Sequence, residues 1–121
     1  MKKKFTLRDL EKRVAVRARA RAGASYTRSL LDRGVAHCAK KLGEEAIETG
    51  LAAVGESRKR VASEAADLLY HLLVILRARK VALKEVEAAL ARRMAQTGLA
   101  EKASRSGKSG MPKPARRRAR A

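Results

Sequence analysis

The chain has 121 residues, enough for one domain around one modest core and too few for a second full domain. Alanine, leucine, arginine, lysine and glutamate dominate, tryptophan is absent, and the two prolines, Pro112 and Pro114, stand near the C-terminus, so an all-α protein is expected. The net charge of +18 is uneven: residues 1–34 carry 11 basic and 3 acidic groups, residues 35–103 carry 12 and 9, and residues 104–121 carry 7 and none. The single cysteine, Cys38, excludes an internal disulfide, and no Cys/His grouping has zinc-site spacing, which favours a reducing, cytoplasmic compartment. The N-terminal "MKKKFTLRDLEKR" contains no apolar run of signal-peptide length, and the apolar run Leu68 to Leu76 is too short to cross a bilayer. An unexported protein with no membrane partner is expected.

Thr6 followed three residues later by Asp9 reads as a capping box that opens a first helix, from Leu7 to about Arg21, before "AGAS" breaks it. "YTRSLLD", residues 26–32, reads as a short helix or turn stopped by Gly34. A third helix runs from Val35 to about Val54, with Gly55 as its end. On it Ile47, Leu51 and Val54 fall within an arc of about 60°, and Lys41, Glu44, Glu45 and Glu48 fill an adjoining arc of about 100°. Ser57 caps a fourth helix that reaches about Arg79. Its middle, "AADLLYHLLVIL", is apolar on nearly every side, the mark of a central, buried helix, and one stripe of it carries Glu64, Asp67 and His71. A fifth helix repeats apolar residues at Leu83, Val86, Leu90 and Met94. Residues 105–121 are basic and contain Gly, Ser and Pro, so they read as a disordered tail behind a domain of residues 1–104.

The third and fourth helices, joined by a short turn, are expected to pack antiparallel. Glu44, Glu45 and Glu48 then face Glu64 and Asp67, and carboxylates so placed repel unless a cation lies between them. Oxygen-only donors select Mg²⁺, Mn²⁺ or Ca²⁺, and Mg²⁺ held by a few carboxylates keeps open positions that substrate phosphates commonly occupy. The competing explanation is a solvated helix face on which Lys41 pairs with Glu45. Against it stands Asp67, inside the most apolar helix, where an unpaired charge is costly.

"KLGEEAIET" followed by "SEAADLLYHLLVIL" resembles the phosphoribosyl-ATP pyrophosphatase family of histidine biosynthesis, a branch of the all-α nucleotide pyrophosphatases of the MazG type. The shared motif, EExxE and then ExxD, falls here on Glu44, Glu45, Glu48, Glu64 and Asp67. "FTLRDLE", "SYTRSLL" and "TGLAEKASR" extend the likeness over about residues 5–105. The resemblance implies a four- to five-helix bundle and Mg²⁺-dependent hydrolysis of the α,β-phosphoanhydride of phosphoribosyl-ATP, giving phosphoribosyl-AMP and pyrophosphate. It implies Glu45, Glu48, Glu64 and Asp67 as metal ligands, Glu44 as a further ligand or the group that orients water, and a homodimer or higher assembly. A housecleaning pyrophosphohydrolase of free nucleotide triphosphates uses the same acids and is the nearest alternative.

Around that motif, Lys40 and Lys41 are candidates for contacting a phosphate, against a solvated role paired to glutamate. Tyr26 and Thr27, with Ser25, are placed in a loop, where Tyr26 stacks on a base or simply packs. His71 is weighed toward a hydrogen-bonded core histidine rather than an acid or base, and Cys38 toward a structural role. The sequence pI near 11.3 raises a rival class, a helical nucleic-acid binder, which the scarcity of aromatics and the lack of a recognition motif oppose. The tail could still hold polyanions nonspecifically. A third class, a helical scaffold without chemistry, leaves the facing acids unexplained.

Overall fold

The computed structural model describes residues 3–96, and every regular element within them is helical. The helices are α1 (Leu7–Ala18), α2 (Tyr26–Asp32), α3 (Val35–Gly55), α4 (Arg58–Ala78) and α5 (Leu83–Met94). The capping box is present: the Thr6 hydroxyl accepts from the Asp9 amide at 3.2 Å, and the Asp9 carboxylate accepts from the Thr6 amide at 2.9 Å. That backbone hydrogen bond is the main reason the Asp9 carboxyl titrates below its ordinary range. Ser25 and Ser57 open α2 and α4 in the same way, accepting from the Arg28 amide at 2.9 Å and the Arg60 amide at 3.2 Å. Between α2 and α3 the chain turns at Gly34, whose φ of 96° lies in the left-handed region that glycine adopts without a steric penalty.

Helix α1 ends at Ala18, earlier than the Arg21 expected from the sequence. Its last turn is tied from outside, because the Arg17 carbonyl accepts from the Ser25 hydroxyl at 2.8 Å as well as from the Ala20 amide at 3.3 Å. The Ser25 bond fixes the start of α2 against the end of α1.

The described residues fall into two compact units, the first ending at Leu83 and the second beginning at Lys84. In the first, α3 and α4 are joined by Glu56 and Ser57 alone and lie along one another as a helical hairpin, while α1 and α2 pack on α4 and on each other. The core takes Val14 from α1, Leu30 from α2, Cys38 and Ala52 from α3, and Leu73 and Val74 from α4. The Cys38 thiol donates to the Leu30 carbonyl at 3.3 Å, and burial raises its pKa. At the end of this unit the Leu83 amide donates to the Glu11 carboxylate at 2.7 Å. In the second unit, α5 carries Glu85 in its first turn and Arg92 and Arg93 in its last, an order that suits the helix dipole.

One sequence expectation changes. Helix α4 is central, yet it is not covered all round: Glu64, His71, Leu73 and Val74 are buried, whereas Leu69 is exposed, and so is Asp67. The argument that Asp67 sits in a dry, apolar helix therefore fails, and the buried carboxylate is Glu64, at 5% exposure. The apolar arc of α3 is also open, with Ile47, Leu51 and Val54 at 66%, 64% and 88% exposure. Periodicity groups these residues correctly, but among the described residues no element covers them. Among the described residues no helix is long and apolar enough to cross a membrane. The basic tail and "TGLAEKASR" lie outside the described residues.

Candidate active site

Helix α3 sets Glu45 and Glu48 one turn apart, and α4 brings Glu64 to meet them. Carboxylate oxygens of the three lie within 4.8 Å of one another. Thr49 locks this register across the hairpin: its hydroxyl reaches the carbonyls of Glu45 at 2.8 Å and Glu64 at 3.1 Å. One Glu64 oxygen, Oε2, accepts from the Arg60 guanidinium at 2.6 Å, whereas the buried Oε1 has no hydrogen-bond partner. Arg60 is held in turn by Glu56 at 3.0 Å; that hydrogen bond, followed by the field of Glu64, raises the Arg60 pKa. A buried polar atom left without a partner costs on the order of 1–3 kcal/mol. A hard divalent cation among the three carboxylates would satisfy Oε1, and the all-oxygen donor set suits Mg²⁺, Mn²⁺ or Ca²⁺.

The remaining acids of the motif are placed differently. Glu44 forms an ion pair with Lys41 at 3.2 Å, so the partner of Lys41 is the residue three along, and not Glu45 as the sequence suggested. Hydrogen bonding to Glu44, then the field of the Tyr26 phenol, raises the Lys41 pKa. Asp67 stands one turn beyond Glu64, exposed, and outside the group of three. Lys40 is exposed on the adjacent surface of α3.

Beside the acids lies an aromatic cluster. Tyr26 and Thr27 belong to the first turn of α2, not to a loop. Thr27 is buried, and its hydroxyl shares a hydrogen bond of 2.6 Å with the Tyr70 phenol. The Tyr70 and Tyr26 rings stack with centroids 6.3 Å apart and an interplanar angle of 17°, and His71 meets both edge-on, at 5.0 Å from Tyr70 and 6.3 Å from Tyr26. His71 is buried as expected, but its surroundings are these ring edges, with no hydrogen bond to the imidazole among the described residues. Desolvation lowers its pKa, and the negative field of Glu45 opposes that shift. Tyr70 escapes a search for acids and bases. Its signal is a phenol in an apolar helix, since a covered tyrosine hydroxyl generally needs a partner. A separate hollow of about 560 Å³, lined by Val14, Ala15, Leu73 and Leu76 among others, holds none of the clustered acids.

A family model described as phosphoribosyl-ATP pyrophosphohydrolase matches residues 7–94, which take in all five helices and every acid of the motif. The chain belongs to this phosphoribosyl-ATP pyrophosphohydrolase family. The phosphoribosyl-ATP pyrophosphatase of Azorhizobium caulinodans is 65% identical over 102 residues, covering 84% of this chain and 94% of that protein. Phosphoribosyl-ATP pyrophosphatase 1 of Bradyrhizobium diazoefficiens is 56% identical over 84% of this chain and 96% of its own length. The Rhizobium meliloti phosphoribosyl-ATP pyrophosphatase is also 56% identical, over 84% of this chain and 94% of its own. Membership in the phosphoribosyl-ATP pyrophosphohydrolase family makes the protein an enzyme, a hydrolase of the pyrophosphatase kind.

Proposed function

We propose that the protein hydrolyses the α,β-phosphoanhydride of phosphoribosyl-ATP, releasing pyrophosphate and phosphoribosyl-AMP, as the second step of histidine biosynthesis in the cytoplasm. The observation that carries the mechanism is the meeting of Glu45, Glu48 and Glu64 around the unpartnered Oε1 of Glu64. These three would hold Mg²⁺, with Asp67 as a further ligand from the solvent side. The bound ion would polarise phosphoryl oxygens and lower the pKa of a bound water.

The chain's own groups do the rest. Lys41 is neutralised by Glu44 in the free protein. A phosphate that draws the Lys41 ammonium away leaves the Glu44 carboxylate free to accept the proton of the attacking water, with Glu45 alongside to orient that water. Lys40, exposed beside Lys41, adds positive charge for the departing pyrophosphate. His71 backs the Tyr26 ring, whose exposed face is available to a base. No covalent intermediate is required.

A second copy of the chain would seat on the open arc of Ile47, Leu51 and Val54, which adjoins the exposed Glu48 on the same helix. A two-fold interface is self-complementary, so one apolar arc meets its own copy, and pairing there would shield the acidic site from water. Analytical ultracentrifugation should show a homodimer that Leu51→Glu dissociates; a monomer at micromolar concentration would remove this part of the account.

The deciding assay is pyrophosphate release from phosphoribosyl-ATP and, separately, from ATP and dNTPs, with Mg²⁺ and with EDTA. Mg²⁺-dependent release from phosphoribosyl-ATP is expected. Release from the free nucleotides alone would move the protein to the housecleaning activity, and release from none would return the basic ends and nucleic acid to first place.

A further inference from the structure

A small cavity of about 200 Å³ opens between α1 and the aromatic cluster, lined by Arg13, Val14, Arg17, Tyr26, Thr27 and Tyr70. Arg13 and Arg17 stand one turn apart on α1, and like charges so spaced repel. No acid of the chain answers them among the described residues. Asp9 is engaged by Thr6, Glu11 by the Leu83 amide and Asp32 by Arg28, and neither Arg13 nor Arg17 enters an ion pair. Both arginines are exposed and open to an anionic ligand at the cavity they line.

The opposite wall supplies donors and a ring. Thr27 and Tyr70 share one hydroxyl proton in their 2.6 Å bond, so the accepting hydroxyl retains its own hydrogen to donate to a ligand. Val14 and the Tyr26 ring give the apolar surface that suits a sugar. Two guanidinium forks with a hydroxyl donor match the oxygens of a phosphomonoester dianion.

The cavity is separate from the phosphates at the acidic cluster. Tyr70 follows Glu64 by six residues, about 9 Å of helical rise, so a phosphoryl group held by the acids does not also reach this wall. Tyr26 joins the two regions, because its ring lies against both Tyr70 and His71. Phosphoribosyl-ATP carries a phosphate at each end, whereas ATP carries only its triphosphate.

Resting on the substrate named above, we propose that Arg13 and Arg17, with Tyr26 and the Thr27–Tyr70 hydroxyl pair, form a subsite for the phosphomonoester of the phosphoribosyl group. This subsite separates phosphoribosyl-ATP from ATP. The arginines act as specificity determinants and take no part in cleavage.

The test compares Arg13→Gln, Arg17→Gln and the double variant with the wild type. Each single change should raise the KM for phosphoribosyl-ATP about tenfold, as befits a lost charge-assisted hydrogen bond, with kcat within about twofold. The inhibition constant of ATP should stay unchanged. Unchanged KM values, or an equal weakening of ATP that would signal general steering by charge, overturn the proposal. Independently, ribose 5-phosphate titrated into the wild type should shift the ring resonances of Tyr26 and Tyr70. Ribose should not, and the double variant should not respond. No shift in the wild type overturns the subsite. If the wild type fails to hydrolyse phosphoribosyl-ATP, the assigned reaction falls and this titration alone decides the subsite.

Discussion

Helix α4 carries the buried carboxylate of Glu64 and, six residues on, the half-buried phenol of Tyr70, and the chain serves the two groups differently. The Tyr70 oxygen is met by the buried Thr27 hydroxyl, 43 residues away in sequence. Glu64 receives one guanidinium hydrogen bond on Oε2 and nothing on Oε1, while two further carboxylates crowd it. Folding alone accounts for the first arrangement. The second is unfavourable until something positive arrives, whereas the first is satisfied within the fold and keeps one hydroxyl hydrogen to donate.

Replacing a crowding carboxylate should break this contrast most visibly. Glu48→Gln should cut Mg²⁺-dependent pyrophosphate release at least about 100-fold. Urea unfolding without metal should show equal or slightly higher stability, since repulsion is relieved and Glu48 is exposed. Full turnover in this variant would reduce the three carboxylates to a surface coincidence.

The supporting pair should respond in the opposite sense. Thr27→Val should cost about 1–2 kcal/mol in urea unfolding, because the Tyr70 hydroxyl loses its partner. Adding Tyr70→Phe should recover part of that loss, since removing both partners leaves nothing unsatisfied. Mg²⁺ at ten times its Kd should stabilise the wild type by about 1.4 kcal/mol through mass action, seen as a raised Tm, and should have no such effect on Glu48→Gln.

The smallest expected effect is one of pH. Desolvation depresses the native pKa of His71 below its ordinary 6.5. As pH falls below that value the unfolded chain takes up a proton that the native chain resists, so stability declines until the native pKa is reached. His37 shifts in the same direction, chiefly by desolvation, so the part due to His71 is the slope that His71→Phe removes from stability measured between pH 7 and 5.

The helices and the acids were legible in the sequence because their signals are local. Thr6 with Asp9, Ser57 before its helix, and the spacing of Glu44, Glu45 and Glu48 depend on neighbours three or four residues away. What stayed hidden depends on what packs opposite. Periodicity puts Ile47, Leu51 and Val54 on one face but cannot say that the face stays open. The apolar run around Asp67 suggested burial, and only the positions of α1, α2 and α3 show that the covered carboxylate is Glu64. The choice of Lys41 between Glu44 and Glu45 is a matter of rotamer, and the Thr27–Tyr70 bond joins segments that no sequence spacing connects.

The lone thiol has a practical consequence. Cys38 is almost wholly buried, donates to the Leu30 carbonyl, and has its pKa raised by burial, so its thiolate is scarce as well as shielded. With no second cysteine to compete, alkylation of the native protein should proceed only through openings that part α2 from α3. The rate of labelling is then a clock for those openings, built into the unmodified chain, and it can be read with and without Mg²⁺ to learn whether order at the acids extends to the other end of α3.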